Sequence, residues 1–252
     1  MKRPEMILFD YGHTLYDEVK FDALKGSEAV LQLATSNPEH VTAQTLVVKA
    51  NEMNDNIGRY KEDQVRDYLV EFHNMPFIRY LYGYYNLTFD VSMSELETVF
   101  WDQAAPGVTT PHINELLAYF EKQGIRTGVI SNLSFGGEAL VKRIGQGIQT
   151  EQFEFILSTA DYLFRKPNPM IFDYALKKSG LSGHQVWYCG DNVYCDVEGA
   201  NKVGIQSVWY KGANATGVYN GIADRKIVPE VPTCDHLVVN DWLEMIDLLD
   251  KL

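Results

Sequence analysis

The sequence predicts an α/β protein, a doubly wound and mainly parallel sheet interrupted by one all-helical insert. Three observations predict it. Short apolar runs alternate with helix-patterned segments through the second part of the chain. A long stretch of helical spacing, rich in Tyr, Asn and Met, separates the first apolar run from the rest. Polar and acidic residues recur just after the apolar runs, where the binding crevice of a parallel sheet lies.

The first run, Met6-Ile7-Leu8-Phe9, ends at Asp10 and a Gly12-containing turn, and its continuous apolar character predicts a strand buried on both faces. From about Phe21 to Phe100 the spacing is helical, as in Ala29, Leu31, Leu33 and again in Tyr68, Leu69, Phe72, with no clear strand between. Residues 17–103 are therefore expected to form a separate helical unit, and residues 1–16 and 104–252 the core. Thr110 followed by Pro111 predicts a helix start, and Gly124 its end. Further strands are expected at 125–130, 155–157, 186–189, 206–209 and 237–239. Asn168-Pro169 and Asp241 predict the starts of two intervening or terminal helices. Strand–helix alternation of this kind implies right-handed crossovers.

The chain has 252 residues, a formal net charge of -12 and 46% hydrophobic residues. That charge repels nucleic-acid backbones, and no basic run offsets it, so nucleic-acid binding is not expected. The apolar stretch behind the N-terminal Met-Lys-Arg-Pro-Glu is too short for a signal peptide or membrane span, which makes the cytoplasm the expected compartment. Cys189, Cys195 and Cys234 are odd in number and lack metal-type spacing, so they read as reduced thiols. His40, His73, His112, His184 and His236 show no ligand spacing either.

The strand ends carry the chemistry. Asp10 follows the first strand, Ser131-Asn132 the second, and Asp191 lies in Gly190-Asp191-Asn192-Val193-Tyr194-Cys195-Asp196 after the fourth. Lys166 sits in Arg165-Lys166-Pro167-Asn168-Pro169. Carboxylates gathered at one sheet edge repel one another unless a cation intervenes, and Mg²⁺ suits one or two carboxylates plus phosphate and water. Ser131, Asn132 and Lys166 offer donors for phosphate oxygens, and a helix after Asn132 is expected to add backbone N–H groups. A carboxylate, a metal ion and phosphate donors together suit phosphoryl transfer through an acyl phosphate.

These segments resemble the four short motifs of the haloacid dehalogenase-like superfamily, whose core is Rossmann-like. The first motif of that superfamily runs Asp-x-Asp-x-Thr after an apolar strand, against Asp10-Tyr11-Gly12-His13-Thr14 here. Val129-Ile130-Ser131-Asn132 matches the second, Lys166 before Pro167 the third, and Gly190-Asp191 with Asp196 and Gly199-Ala200 the fourth. The resemblance implies that Asp10 is a nucleophile and metal ligand, with the Gly12 carbonyl a second ligand. It implies that Asp191 binds Mg²⁺, that Asp196 supports the site from behind, and that Ser131 and Lys166 contact the phosphoryl group. The insert corresponds to a cap that closes over a small phosphorylated substrate. Within it Arg59, Tyr60, Lys61 and Arg66 read as a charged surface of a helix, and Phe77, Tyr80, Tyr82, Tyr84 and Tyr85 as its packed interior.

One departure stands out. Phosphatases of this superfamily carry a second aspartate two residues after the nucleophile, which protonates the leaving group and activates water. Gly12 cannot do either, and general acid–base catalysis is worth roughly two to four orders of magnitude. Three readings follow: a slow phosphatase restricted to good leaving groups, one in which His13 or an insert residue supplies the proton, or a silent protein that binds a phosphorylated ligand. Haloacid dehalogenation is a further alternative that the metal-type Gly190-Asp191 pair disfavours.

Overall fold

The computed structural model describes residues 2–59, 69–213, 215–217 and 231–252; Tyr60, Lys61, Arg66 and Tyr68 lie outside the described residues. β1 (Met6–Phe9) leads through a turn into β2 (Tyr16–Glu18). The insert follows as α1 (Ala23–Gln32), β3 (Ala34–Ser36), α2 (Ala43–Asn56), α3 (Asn74–Tyr84), β4 (Thr88–Phe89) and α4 (Met93–Ala104). β5 (Gly107–Thr109) returns antiparallel to β2. The chain continues through α5 (Ile113–Gln123), β6 (Arg126–Ser131), α6 (Gly137–Ile144), β7 (Ile156–Ser158), α7 (Pro169–Ser179) and β8 (Val186–Gly190). A π-helical turn, Val193–Glu198, passes into α8 (Gly199–Asn201), and β9 (Gln206–Tyr210), β10 (His236–Val239) and α9 (Trp242–Asp250) complete the chain.

The predicted strands form one six-stranded sheet in the order β10-β9-β8-β1-β6-β7, with every pairing parallel. β1 is central, and all four of its side chains are essentially inaccessible. Alternate residues serve opposite layers: Ile7 and Phe9 pack with Leu116, Phe120 and Trp242, whereas Met6 and Leu8 pack with Ile171, Phe172 and Ala200. Each such side chain contributes roughly 1.5–3 kcal/mol of burial, which fixes the strand's register and hence the position of Asp10. The chain runs from β1 to neighbours on both sides, so the strand order reverses there and a crevice opens at its carboxyl end. No helix among the described residues is long and apolar enough to cross a membrane.

Four local expectations need correction. The insert is not wholly helical, because Ala34 and Ser36 pair antiparallel with Phe89 and Thr88, a ribbon too short for its alternation to register in sequence. The helical spacing at Leu69 and Phe72 does not give a helix. Val70 instead bridges Phe164, with Glu71 N donating to Leu163 O at 2.5 Å. Thr110 does not cap α5. It is buried and donates to the Thr14 carbonyl at 2.8 Å while accepting from Trp242 Nε1 at 3.0 Å, and the helix starts at Ile113. The helix after Asn132 begins only at Gly137, and the N–H groups of Gly136 and Gly137 are taken by the carboxylates of Glu97 and Asp161. The Asn168 and Asp241 caps form as expected.

The insert has its own apolar cluster around Val30, Leu46, Phe77, Leu81 and Leu96. Its two connections to the core are held by Arg143 of α6, which is buried and donates to Asp102 at 2.6 Å, to Glu18 at 3.1 Å and to Tyr11 Oη at 3.0 Å. Trp101 stacks on Phe135 with centroids 4.5 Å apart.

Candidate active site

Asp10 lies one residue beyond β1, and its backbone N–H donates to Cys189 O at 2.9 Å, continuing the ladder between β1 and β8. Asp191 follows β8, with its carbonyl fixed by Trp209 Nε1 at 3.0 Å. Asp196 projects from the π-helical turn, a form frequent at functional sites. One oxygen from each of these three carboxylates lies within 4.8 Å of the others. Gly190 has no room for a side chain, since a Cβ there would collide with the Asp196 carboxyl group.

Lys166 is buried and its ammonium donates to Asp10 Oδ1 at 2.8 Å, Asp196 Oδ1 at 2.6 Å and Tyr188 Oη at 2.6 Å. Its three donors are thereby all engaged. Burial opposes its charge, but Asp10 and Asp196 outweigh that penalty and raise its pKa. The Lys166–Pro167 peptide is cis. Pro167 lies against Gly199, where a Cβ would approach the proline Cα to 3.1 Å, so the third and fourth motifs pack through a missing side chain.

Asn132 aims at the backbone of Lys166. Its Nδ2 donates to Lys166 O at 2.8 Å, and its Oδ1 accepts from Lys166 N at 2.8 Å. Ser131 is buried at the end of β6, opposite Ser158 in the parallel ladder. The structure thus brings Asp10, Ser131, Asn132, Lys166, Asp191 and Asp196 to one edge of the sheet, with Gly12 in the turn behind Asp10. A Cβ at Gly12 would meet nothing within 4 Å.

The charge balance shows what the cluster lacks. One ammonium faces three carboxylates. Burial, then the neighbouring Asp196 and Asp10 charges, push Asp191 up to about 8. Burial likewise pushes Asp196 up to about 6, against the opposing pull of Lys166. Carboxylates that resist ionisation this strongly fit a divalent cation, and their hard oxygen donors are the type that Mg²⁺ takes.

Sequence reasoning missed Tyr188. Its hydroxyl accepts from Lys166 and donates to Ile130 O at 2.8 Å, holding the ammonium against β6. It also missed Glu71, a buried residue whose carboxylate accepts from Thr159 Oγ1 at 2.9 Å and lies 3.6 Å from Arg165 Nε. Neither carries a sequence signal, because one is an aromatic inside an apolar strand and the other an acid in an irregular segment. Arg59, read as part of a charged helix surface, instead donates to Ser134 Oγ of the core and lies over the Phe72 ring at 5.2 Å. His13 adopts a left-handed backbone (φ 55°), with Nδ1 3.6 Å from the buried Asp17 carboxylate. That carboxylate pushes the imidazole pKa up against the opposing burial. A cavity of about 580 Å³ separates insert from core beside Asn132, lined among others by Phe77, Leu81, Phe100 and Phe135. All three cysteines are free thiols.

Comparison with known proteins identifies the family. Residues 7–210 match the family model of haloacid dehalogenase-like hydrolases. The chain is 25% identical over 249 residues to a glyceraldehyde 3-phosphate phosphatase of Methanocaldococcus jannaschii, covering 98% of this chain and 97% of that protein. It is 26% identical over 152 residues to a phosphoserine phosphatase of Thermus thermophilus, covering 60% of this chain and 55% of that one. The fold is similar to that of a 2-haloacid dehalogenase from Pseudomonas syringae, with a TM-score of 0.60, 18% identity and 98% of each chain covered. The chain belongs to the haloacid dehalogenase-like hydrolase family.

Proposed function

We propose that this hydrolase is a Mg²⁺-dependent phosphatase that cleaves phosphate monoesters through an aspartyl phosphate on Asp10. The observation that carries the reading is the Lys166 ammonium between Asp10 and Asp196, with Asp191 completing a carboxylate cluster short of positive charge. The phosphatase relatives support it. Asp10, Asp191 and the Gly12 carbonyl would hold the ion, with Asp196 behind. Once bound, Mg²⁺ would polarise the phosphoryl oxygens and offset the charge of the attacking carboxylate.

The protein's own groups divide the remaining work. Asp10 Oδ attacks phosphorus, the P–O bond to the alcohol breaks, and the alcohol leaves with the bonding electron pair. Water then attacks the same phosphorus, the P–O bond to Asp10 breaks, and phosphate leaves with Asp10 restored as a carboxylate. Lys166 holds the Asp10 carboxylate by its hydrogen bond and supplies a positive charge to the phosphoryl oxygens, while Asn132 and Tyr188 fix its backbone and its ammonium. The Ser131 hydroxyl is a further donor to the phosphoryl group. Residues 17–103 serve as a cap over the substrate. With Gly12 in place of an acid, the leaving alcohol takes its proton from water or from His13, whose pKa the Asp17 carboxylate raises. Esters with good leaving groups are therefore the favoured substrates.

Gly12 also favours a second reading, in which the site binds a phosphorylated ligand without turnover. Phosphate release from an aryl phosphate and from an alkyl sugar phosphate, each with Mg²⁺ and with chelator, separates the two. Metal-dependent release from the aryl ester supports the phosphatase reading. Mg²⁺-dependent phosphate binding without release from either ester supports the second.

A further inference from the structure

The cavity beside Asn132 differs in chemistry from the site it adjoins. About 580 Å³ lies between insert and core, a volume typical of a pocket for a drug-sized ligand. Its walls are contributed by Phe21, Phe77, Ile78, Leu81, Phe100 and Phe135, with Asn132 and Ser134 on the core side. Phe77, Ile78 and Leu81 form one face of α3, and Phe100 meets Phe135 with ring centroids 6.5 Å apart. The charged residue of the wall, Arg59, is drawn against Ser134 and the Phe72 and Phe77 rings. The open surface of the cavity is mainly apolar, which favours a hydrocarbon body over the hydroxyls of a short polyol phosphate. Polar side chains are interspersed in the wall, among them Ser27, Asn51, Asn54 and Asn74.

We propose that the substrate is a phosphate monoester whose alcohol carries a bulky, mainly apolar body, seated in this cavity. The inference rests on the phosphatase reading and names the substrate class for the same site. The phosphate sits at Asp10 and Lys166, and the alcohol passes Asn132, whose amide is held to Lys166, into the space under α3. This class differs from the small polar esters that the named relatives hydrolyse.

The test is calorimetric binding in Mg²⁺ of inorganic phosphate, methylphosphonate and a series of straight-chain alkylphosphonates up to hexyl. Burial of each methylene is worth about fourfold in affinity, so affinity is expected to climb about fourfold per methylene along the series. In Ala50→Trp, whose indole would occupy the cavity, the increment per methylene is expected to disappear. The native protein alone carries the test should that variant not fold. Mg²⁺-dependent binding of phosphate and methylphosphonate with no gain along the series overturns the apolar class and leaves the phosphatase reading standing. An increment that persists in a folded Ala50→Trp places the chain elsewhere and overturns the cavity. Absence of any Mg²⁺-dependent binding of phosphate or phosphonate overturns both readings together.

Discussion

Replacing Gly12 with aspartate is expected to raise turnover of alkyl phosphates. The backbone there is outside the left-handed region, and a Cβ would meet nothing within 4 Å, so the first carbon of a side chain is accommodated without displacing a neighbour. A positioned acid is worth roughly two to four orders of magnitude. The gain is set against a fourth carboxylate in a cluster that already holds Asp191 up near 8 by burial and by the charges of Asp196 and Asp10. The lower end of the range is therefore expected, about a hundredfold, equivalent to about 2.7 kcal/mol of transition-state stabilisation. The assay is phosphate release from an alkyl sugar phosphate at saturating Mg²⁺, with an aryl phosphate alongside. The aryl ester needs little protonation and should gain less. A folded Gly12→Asp protein with unchanged alkyl-ester turnover would refute the claim that only the acid–base group is missing.

Other perturbations address the rest of the cluster. Lys166→Met leaves the Asp10 and Asp196 carboxylates facing each other without a cation, and should cost about 3–5 kcal/mol in urea unfolding of the metal-free protein. Gly190→Ala drives a methyl group into Asp196 and should abolish stabilisation by Mg²⁺ in thermal unfolding, although the residue makes no side-chain contact of its own. The folded-state pKa values of Asp191 and Asp196, about 8 and about 6, exceed their ordinary 3.8. The folded protein therefore binds more protons than the unfolded chain between about pH 4 and 8, and metal-free stability should fall as pH rises across that window. Because Mg²⁺ takes the ionised form, its stabilising effect should grow over the same range, as melting curves at pH 5 and pH 8 with Mg²⁺ or chelator will read.

The core was legible because its strands are buried on both faces. Continuous apolar runs such as Met6–Phe9 and Val186–Gly190 have few other places in a folded chain, and the polar residue ending each is placed by the strand's register. Hence Asp10, Asp191 and Lys166 meet as the sequence suggested. What it did not yield depends on contacts between distant segments. Tyr188 looks like one more core aromatic until Lys166 arrives from the other side. Leu69 and Phe72 have helical spacing, yet Leu163 and Arg165 draw that segment out by backbone pairing. Thr110 has the chemistry of a cap, but the carbonyl of Thr14 claims its hydroxyl first. The N-terminal N–H groups of Gly136 and Gly137 at α6 are turned to Glu97 and Asp161, so that helix end does not present the donors expected of it.

The central claim is covalent chemistry at Asp10. Acid quenching during turnover of an aryl phosphate with Mg²⁺, followed by peptide mass analysis, tests it directly. A hydroxylamine-labile phosphoryl group is expected on the peptide containing Asp10, absent with chelator and absent in Asp10→Asn, which should also release no phosphate. Turnover that survives in Asp10→Asn would contradict the account.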